Sequence, residues 1–351
     1  MKGFEGKCSQ TAGRAIRHAG PPAFWWGNLW MAGGFPARCF PDGIGVPGPV
    51  KLGPTLSHRI LTVCRVPNRS GSRNGIAILV LLLLATAPAR AQAPRLYYEA
   101  DGAGTPVVLV PDWAHDTGTW FRLLPPLRAD GRRLIRYDLR GQGRSEVPSD
   151  GDYSLAAHRA DLLRLLDGLE IERAHLVGSG LGAAIVLGFA LEHPERALSV
   201  AALDPRLAWS ESDRGSWQQL LAAWERIGRP TLGEYASVLV GRWLDTEFVV
   251  RNDWVVPWYD LMLRRQNASA LIASMRSWLG ESVDLAGAPS GTPALVVVGG
   301  RGALGPQGEA LSAAFPRVWR ERLDGSRSQP ALDAPEELAE RLAEFLDRAS
   351  P

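Results

Sequence analysis

Cysteine is nearly absent from this 351-residue chain: Cys8, Cys39 and Cys64 are the only three. Beyond residue 64 there is no thiol for a disulfide, a nucleophile or a cysteine-ligated metal. Histidine is sparse too, occurring past residue 91 only at His115, His158, His175 and His193. No H-x-x-x-H or H-E-x-x-H pair exists, and Asp112, His115 and Asp116 form too thin a cluster to hold a metal. Neither a metal nor another cofactor is expected. Long apolar runs are missing as well, with a single exception.

That exception is "IAILVLLLLA" at 76–85, preceded by Arg69 and Arg73 and followed by "TAPARAQA". A basic flank, about ten apolar residues and a small-residue A-x-A site form a secretory signal peptide. The expected cut follows Ala91, with Ala89 and Ala91 as the small residues. The run is shorter than the roughly 20 residues a membrane span needs. No stable span is expected after cleavage. A signal peptide belongs at an N-terminus, yet a Gly-, Pro- and Trp-rich leader precedes this one. We expect translation to start near Val66, which makes 1–65 a mis-assigned or disordered leader and 66–91 the signal. The competing expectation is a genuine leader, with 76–85 as a weak anchor.

Charge divides at the same place. Residues 1–91 hold 11 of the 39 Lys and Arg but 2 of the 37 Asp and Glu, leaving 28 basic against 35 acidic residues, a net of −7. All of the remaining basic residues are Arg. The overall basicity therefore belongs to the leader, and no nucleic-acid partner is expected.

What is present from residue 95 onward is an alternation of strand-like and helix-like segments, which predicts a mostly parallel sheet flanked by helices. "PVVLVP" (106–111), "AHLVG" and "PALVVVGG" read as strands buried on both faces. Helices are predicted over 119–129, where Pro125 and Pro126 must limit it, and over 154–169, 181–193, 307–314 and 335–348. Residues 206–284 break the rhythm with helical character and seven tryptophans. They predict a helical cap, its tryptophans mostly packing residues with one or two facing a pocket. The core is then 92–205 plus 285–351.

Three motifs carry a family resemblance. "YDLRGQGRS" (137–145), "HLVGSGLGAAIVLGFALEHPERALSVAALDP" (175–205) and "PEELAERLAEFL" (335–346) stand in order. They resemble the loop after the fourth strand, the nucleophile elbow with its helix and next strand, and the last helix of α/β-hydrolase fold proteins. The resemblance is to the esterase, haloperoxidase and dehalogenase type. It implies the fold and a Ser-His-Asp triad, but the residues depart from that triad. Gly180 stands in the serine's place in "VGSGLG", Ser328 in the histidine's place, and Gly302 in the acid's place. Asp204 in "ALDP" is the alternative acid, expected instead to be a turn residue. The family's "HG" after its third strand is replaced by Pro111-Asp112. There the backbone N–H groups of Trp113 and Leu181 remain as a weak oxyanion pair, which the Asp112 carboxylate would oppose unless it points away.

A relocated Ser179–His115–Asp112 set is the low-ranked substitute, since base and nucleophile must come within hydrogen-bond reach. His158, on a helix expected at the surface, His175 and His193 are expected to be structural or solvated. The glycines of "GSGLG" fit the elbow better than a dinucleotide site. The expectation is an exported protein of this fold without a conventional triad, holding a small, largely apolar ligand beneath the cap. Two alternatives stay open: a hydrolase of small acyl esters using non-standard residues, and a degenerate remnant.

Overall fold

Alternating apolar runs and amphipathic stretches produce seven strands among the described residues: β1 (Tyr98–Gly102), β2 (Thr105–Val110), β3 (Arg132–Tyr137), β4 (Ala174–Ser179), β5 (Ala197–Leu203), β6 (Ala294–Gly299) and β7 (Val318–Leu323). The computed structural model describes residues 92–128, 131–227, 235–287, 289–300 and 306–350. The leader, the signal segment and Gly302 lie outside the described residues. The strands form one sheet in the order β1-β3-β2-β4-β5-β6-β7, with β1 antiparallel to β3 and the other neighbours parallel.

Strand β2 shows why the sheet is buried on both faces. Val108 and Val110 join one hydrophobic cluster, while Val107 and Leu109 join another on the opposite face. Strands β4 and β5 are buried along their whole length. Helix Leu155–Gly168 begins where the Ser154 side chain accepts from the Ala157 N–H. Helix Leu181–Glu192 is apolar all round and buried over nearly its full length, as a helix pressed between sheet and neighbours must be.

One expectation needs correction, and another is narrowed. The helix expected over 119–129 is a 3-10 turn at Thr117–Trp120 and one short helical turn at Leu124–Leu127. Pro125 sits in the first turn of the latter, where a missing N–H is tolerated, but the pair with Pro126 prevents anything longer. His158 does not face solvent. Its helix turns it inward beside the buried Arg140–Asp161 ion pair, and burial pushes its pKa down to about 3.

Between β5 and β6 the described residues form five helices: Glu211–Ile227, Ala236–Trp243, Thr246–Arg251, Val255–Arg264 and Ala268–Leu279. They tie down to the strand ends. The Trp113 indole N–H donates to the Leu271 carbonyl at 3.0 Å, and the Ser328 hydroxyl donates to the Trp243 carbonyl at 2.9 Å. Register pairs Val110 with Gly178 and Ser179 with Leu203, so the C-terminal ends of β2, β4 and β5 lie side by side beneath these helices. That is the end at which parallel sheets place their ligands.

Candidate functional site

Strand β4 ends at Ser179, and helix Leu181–Glu192 begins two residues later, so the chain must reverse within Gly180. It does so at φ 51° and ψ −109°, a conformation that glycine adopts without the cost borne by other residues. The sharp turn leaves the Leu181 N–H unpaired at the helix start, pointing toward the end of β2.

Asp112 meets it there. One carboxylate oxygen accepts from the Trp113 N–H at 2.7 Å and from the Leu181 N–H at 2.8 Å. The other oxygen accepts from the Gln329 amide at 2.9 Å. Asp112 therefore does not point away, and its own carboxylate occupies the predicted donor pair. A Cβ built on Gly180 would overlap this carboxylate, so glycine at 180 and aspartate at 112 share one volume. Burial drives the Asp112 pKa up to about 6, opposed by the two backbone donors, the charge of Arg206 and Gln329.

The remaining predicted residues do not assemble into a relay. The Ser179 hydroxyl is buried without a hydrogen-bond partner among the described residues. The ring of His115 is fully buried, 2.9 Å from the Trp113 carbonyl through Nδ1 and 3.0 Å from the Tyr259 hydroxyl through Nε2. A carbonyl only accepts, so Nδ1 carries the proton and Nε2 accepts from Tyr259. Both nitrogens are thus committed away from Ser179 and Asp112. Desolvation lowers the His115 pKa to about 4 and keeps the ring neutral. Ser328 hydrogen bonds to the Trp243 carbonyl through both its N–H and its hydroxyl. Asp204 adopts a left-handed turn at φ 44° after β5, and burial raises its pKa to about 6.

Asp112, Trp113, Gly180, Asp204 and Ser328 line a cavity of about 230 Å³. Trp209, Trp217, Trp243 and Trp278 wall it, so four of the seven insertion tryptophans face it rather than the one or two expected. Arg206, Arg242 and Arg327 also line it, a charged component that the expectation of an apolar pocket lacked. No sequence signal marked Gln329 or these arginines: the partners of Gln329, Arg242 and Arg327 lie in other segments, and Arg206 with Asp213 reads as an ordinary surface pair. A larger cleft of about 440 Å³ lies elsewhere, against Glu99, Asp116 and Arg144. Its Arg136 and Arg144 are already paired with Glu99, Asp101 and Asp138, so we place the functional site in the tryptophan-walled cavity.

Comparison with known proteins decides the family. A family model described as alpha/beta hydrolase fold matches residues 105–313, more than half of the chain. The chain belongs to the α/β-hydrolase fold family. The 2-hydroxymuconate semialdehyde hydrolase of Pseudomonas sp. (strain CF600) is 39% identical over 97 residues, 27% of this chain and 34% of that protein. The epoxide hydrolase of Caballeronia sordidicola is 36% identical over 109 residues, 31% of this chain and 33% of that protein. The matched stretches span less than half the length of these curated relatives. Among solved structures, a hydrolase from Pseudomonas aeruginosa PA01 superposes with a TM-score of 0.63 at 26% identity, over 74% of this chain and 99% of that one. The enol-lactonase from Burkholderia xenovorans LB400 gives a TM-score of 0.65 at 22% identity, over 74% and 99%, a likeness of fold.

Within this α/β-hydrolase fold, Gly180 occupies the tight turn between strand and helix that the sequence motif marked. The Trp113 and Leu181 N–H groups converge as an anion hole, and the hole holds Asp112.

Proposed function

We propose that this is an exported α/β-hydrolase-fold protein that binds a small molecule beneath its cap and does not hydrolyse esters through a Ser-His-Asp triad. The observation that carries the reading is the Asp112 carboxylate in the two-donor hole. Ester hydrolysis needs that hole free for a developing oxyanion, and a fixed carboxylate repels one. Both nitrogens of the buried His115 are spent on Trp113 and Tyr259, which supports the same reading. Export rests on the signal-like segment at 66–91.

The rival reading is a hydrolase with non-standard residues, favoured by relatives that are named as hydrolases. Turnover of short p-nitrophenyl esters by the purified protein separates the two. We expect rates equal to buffer, together with saturable quenching of the cavity's tryptophans by a single-ring aromatic compound. Turnover that disappears in Ser179→Ala or His115→Ala would establish the rival.

A further inference from the structure

The walls of the cavity are flat and aromatic. Trp113, Trp209, Trp217, Trp243 and Trp278 are each at most 8% exposed. Trp209 meets Trp217 and Trp278 edge-on, with ring centroids 6.3 and 4.8 Å apart. A volume of about 230 Å³ falls below the roughly 300–1,000 Å³ of drug-sized ligand sites, so the occupant is of single-ring size.

The charges are not evenly arranged. At the inner end, Asp112 is held by three donors, and Asp204 lies in the fields of Arg206 and Arg327. At the more exposed mouth, Arg206 pairs with Asp213 at 3.3 Å. Arg242 donates to the Ser216 hydroxyl at 2.9 Å, and Arg327 donates to the Gly241 carbonyl at 2.9 Å. Among the described residues neither of these two arginines makes a direct ion pair, although Arg242 lies in the field of Asp213 and Arg327 in that of Asp204. Burial pushes the Arg242 pKa down, opposed by the charge of Asp213, and a bound anion would oppose it further. A cation fits poorly, because guanidinium groups already lie over two aromatic walls: Arg206 over Trp209 at 4.8 Å and Arg242 over Trp217 at 4.7 Å.

We propose that the cavity binds a small aromatic carboxylic acid, its ring between the tryptophans and its carboxylate at the mouth on Arg242 and Arg327. This names the ligand class of the binding role proposed above and rests on it. The polarity follows from the lining: the inner carboxylates reject an anion, and at the mouth three guanidinium groups outnumber the one carboxylate, Asp213, with bidentate geometry available to a planar carboxylate.

Quenching of tryptophan fluorescence in the purified full chain tests it, with benzoate, benzamide and benzyltrimethylammonium as probes. Benzoate should quench saturably and bind about tenfold or more tighter than benzamide, a margin that shrinks at high salt. Arg242→Gln should abolish the margin, Arg242→Lys should restore part of it, and Arg327→Gln provides an independent variant if the first misfolds. Equal binding of benzoate and benzamide, preference for the ammonium probe, or an unchanged margin in folded Arg242→Gln and Arg327→Gln would overturn the acid assignment while leaving the cavity a binding site. Saturation by none of the three would overturn it also. Ester turnover, measured separately, would instead remove the non-hydrolytic reading beneath it.

Discussion

The carboxylate of Asp112 and the backbone N–H of Leu181 meet at 2.8 Å across 69 residues of chain. This contact joins the end of β2 to the start of the helix after β4. It fills an anion-binding feature of the fold with an anion from the protein itself, and it explains why glycine at 180 is required sterically as well as conformationally.

Replacing Asp112 with Asn keeps the shape and removes the charge. The buried Gln329 Oε1 has no partner among the described residues. Rotation of the Gln329 amide would let that oxygen accept from the new Asn amide. Asp112 titrates at about 6 in the fold against about 3.9 unfolded, so the folded state holds its proton more tightly. The associated stability is full below pH ~4 and is lost as pH rises through about 6. Asp112→Asn has no such loss. Its advantage over the wild type in urea melts should grow from pH 4 to 7, to on the order of 2–3 kcal/mol. An advantage independent of pH would contradict the assignment.

Asp112→Ala should expose the hole. Two backbone N–H groups and one amide lose their acceptor, at about 1–3 kcal/mol for each donor left dry. Formate or acetate should enter the vacated space and raise the melting temperature of this variant, with little effect on the wild type. Equal responses of both proteins to formate would mean that the donors do not form an anion site.

Gly180→Ser should remain inactive toward esters and lose stability. The left-handed turn costs a non-glycine residue about 1–3 kcal/mol, and crowding against Asp112 adds to that. Since the crowding needs both side chains, Gly180→Ser with Asp112→Gly should be more stable than the sum of the single losses predicts. A double-mutant cycle measures the coupling, and strict additivity would place residues 112 and 180 out of contact.

His115 should stay neutral in the folded protein until the pH falls to about 4. Its folded pKa is depressed, so its contribution to stability is present above about 6.5 and disappears as pH falls through about 4. In imidazole nitrogen spectra at about pH 5.5 the assigned His115 ring should be neutral and protonated at Nδ1. A doubly protonated His115 at that pH would refute its role as a buried packing group.

Much of the scaffold is legible in the sequence because it depends on local patterns. "PVVLVP" and "AHLVG" have the continuous apolar character of strands covered on both faces, and "VGSGLG" carries a turn only glycine makes easily. The Trp113 and Leu181 donor pair is legible for the same reason, as backbone geometry fixed by flanking elements. The occupant of that pair was not. Asp112 could point in or away, and one of the three donors that hold it inward, Gln329, lies 217 residues distant. The sequence leaves His158 open because its helix is buried along one face only, and His158 falls on that face with Leu155, Asp161 and Leu162. The arginines at the cavity mouth were equally silent, since exposed and cavity-facing arginines look alike in a sequence.

The most direct test is the pH titration of the Trp113 and Leu181 amide proton shifts in the wild type and in Asp112→Asn. If one carboxylate accepts from both amides, the two resonances should move together with a common midpoint near 6 and should not titrate in the variant. Amides that titrate separately, or that keep the same titration after Asp112→Asn, would show that Asp112 does not occupy the hole.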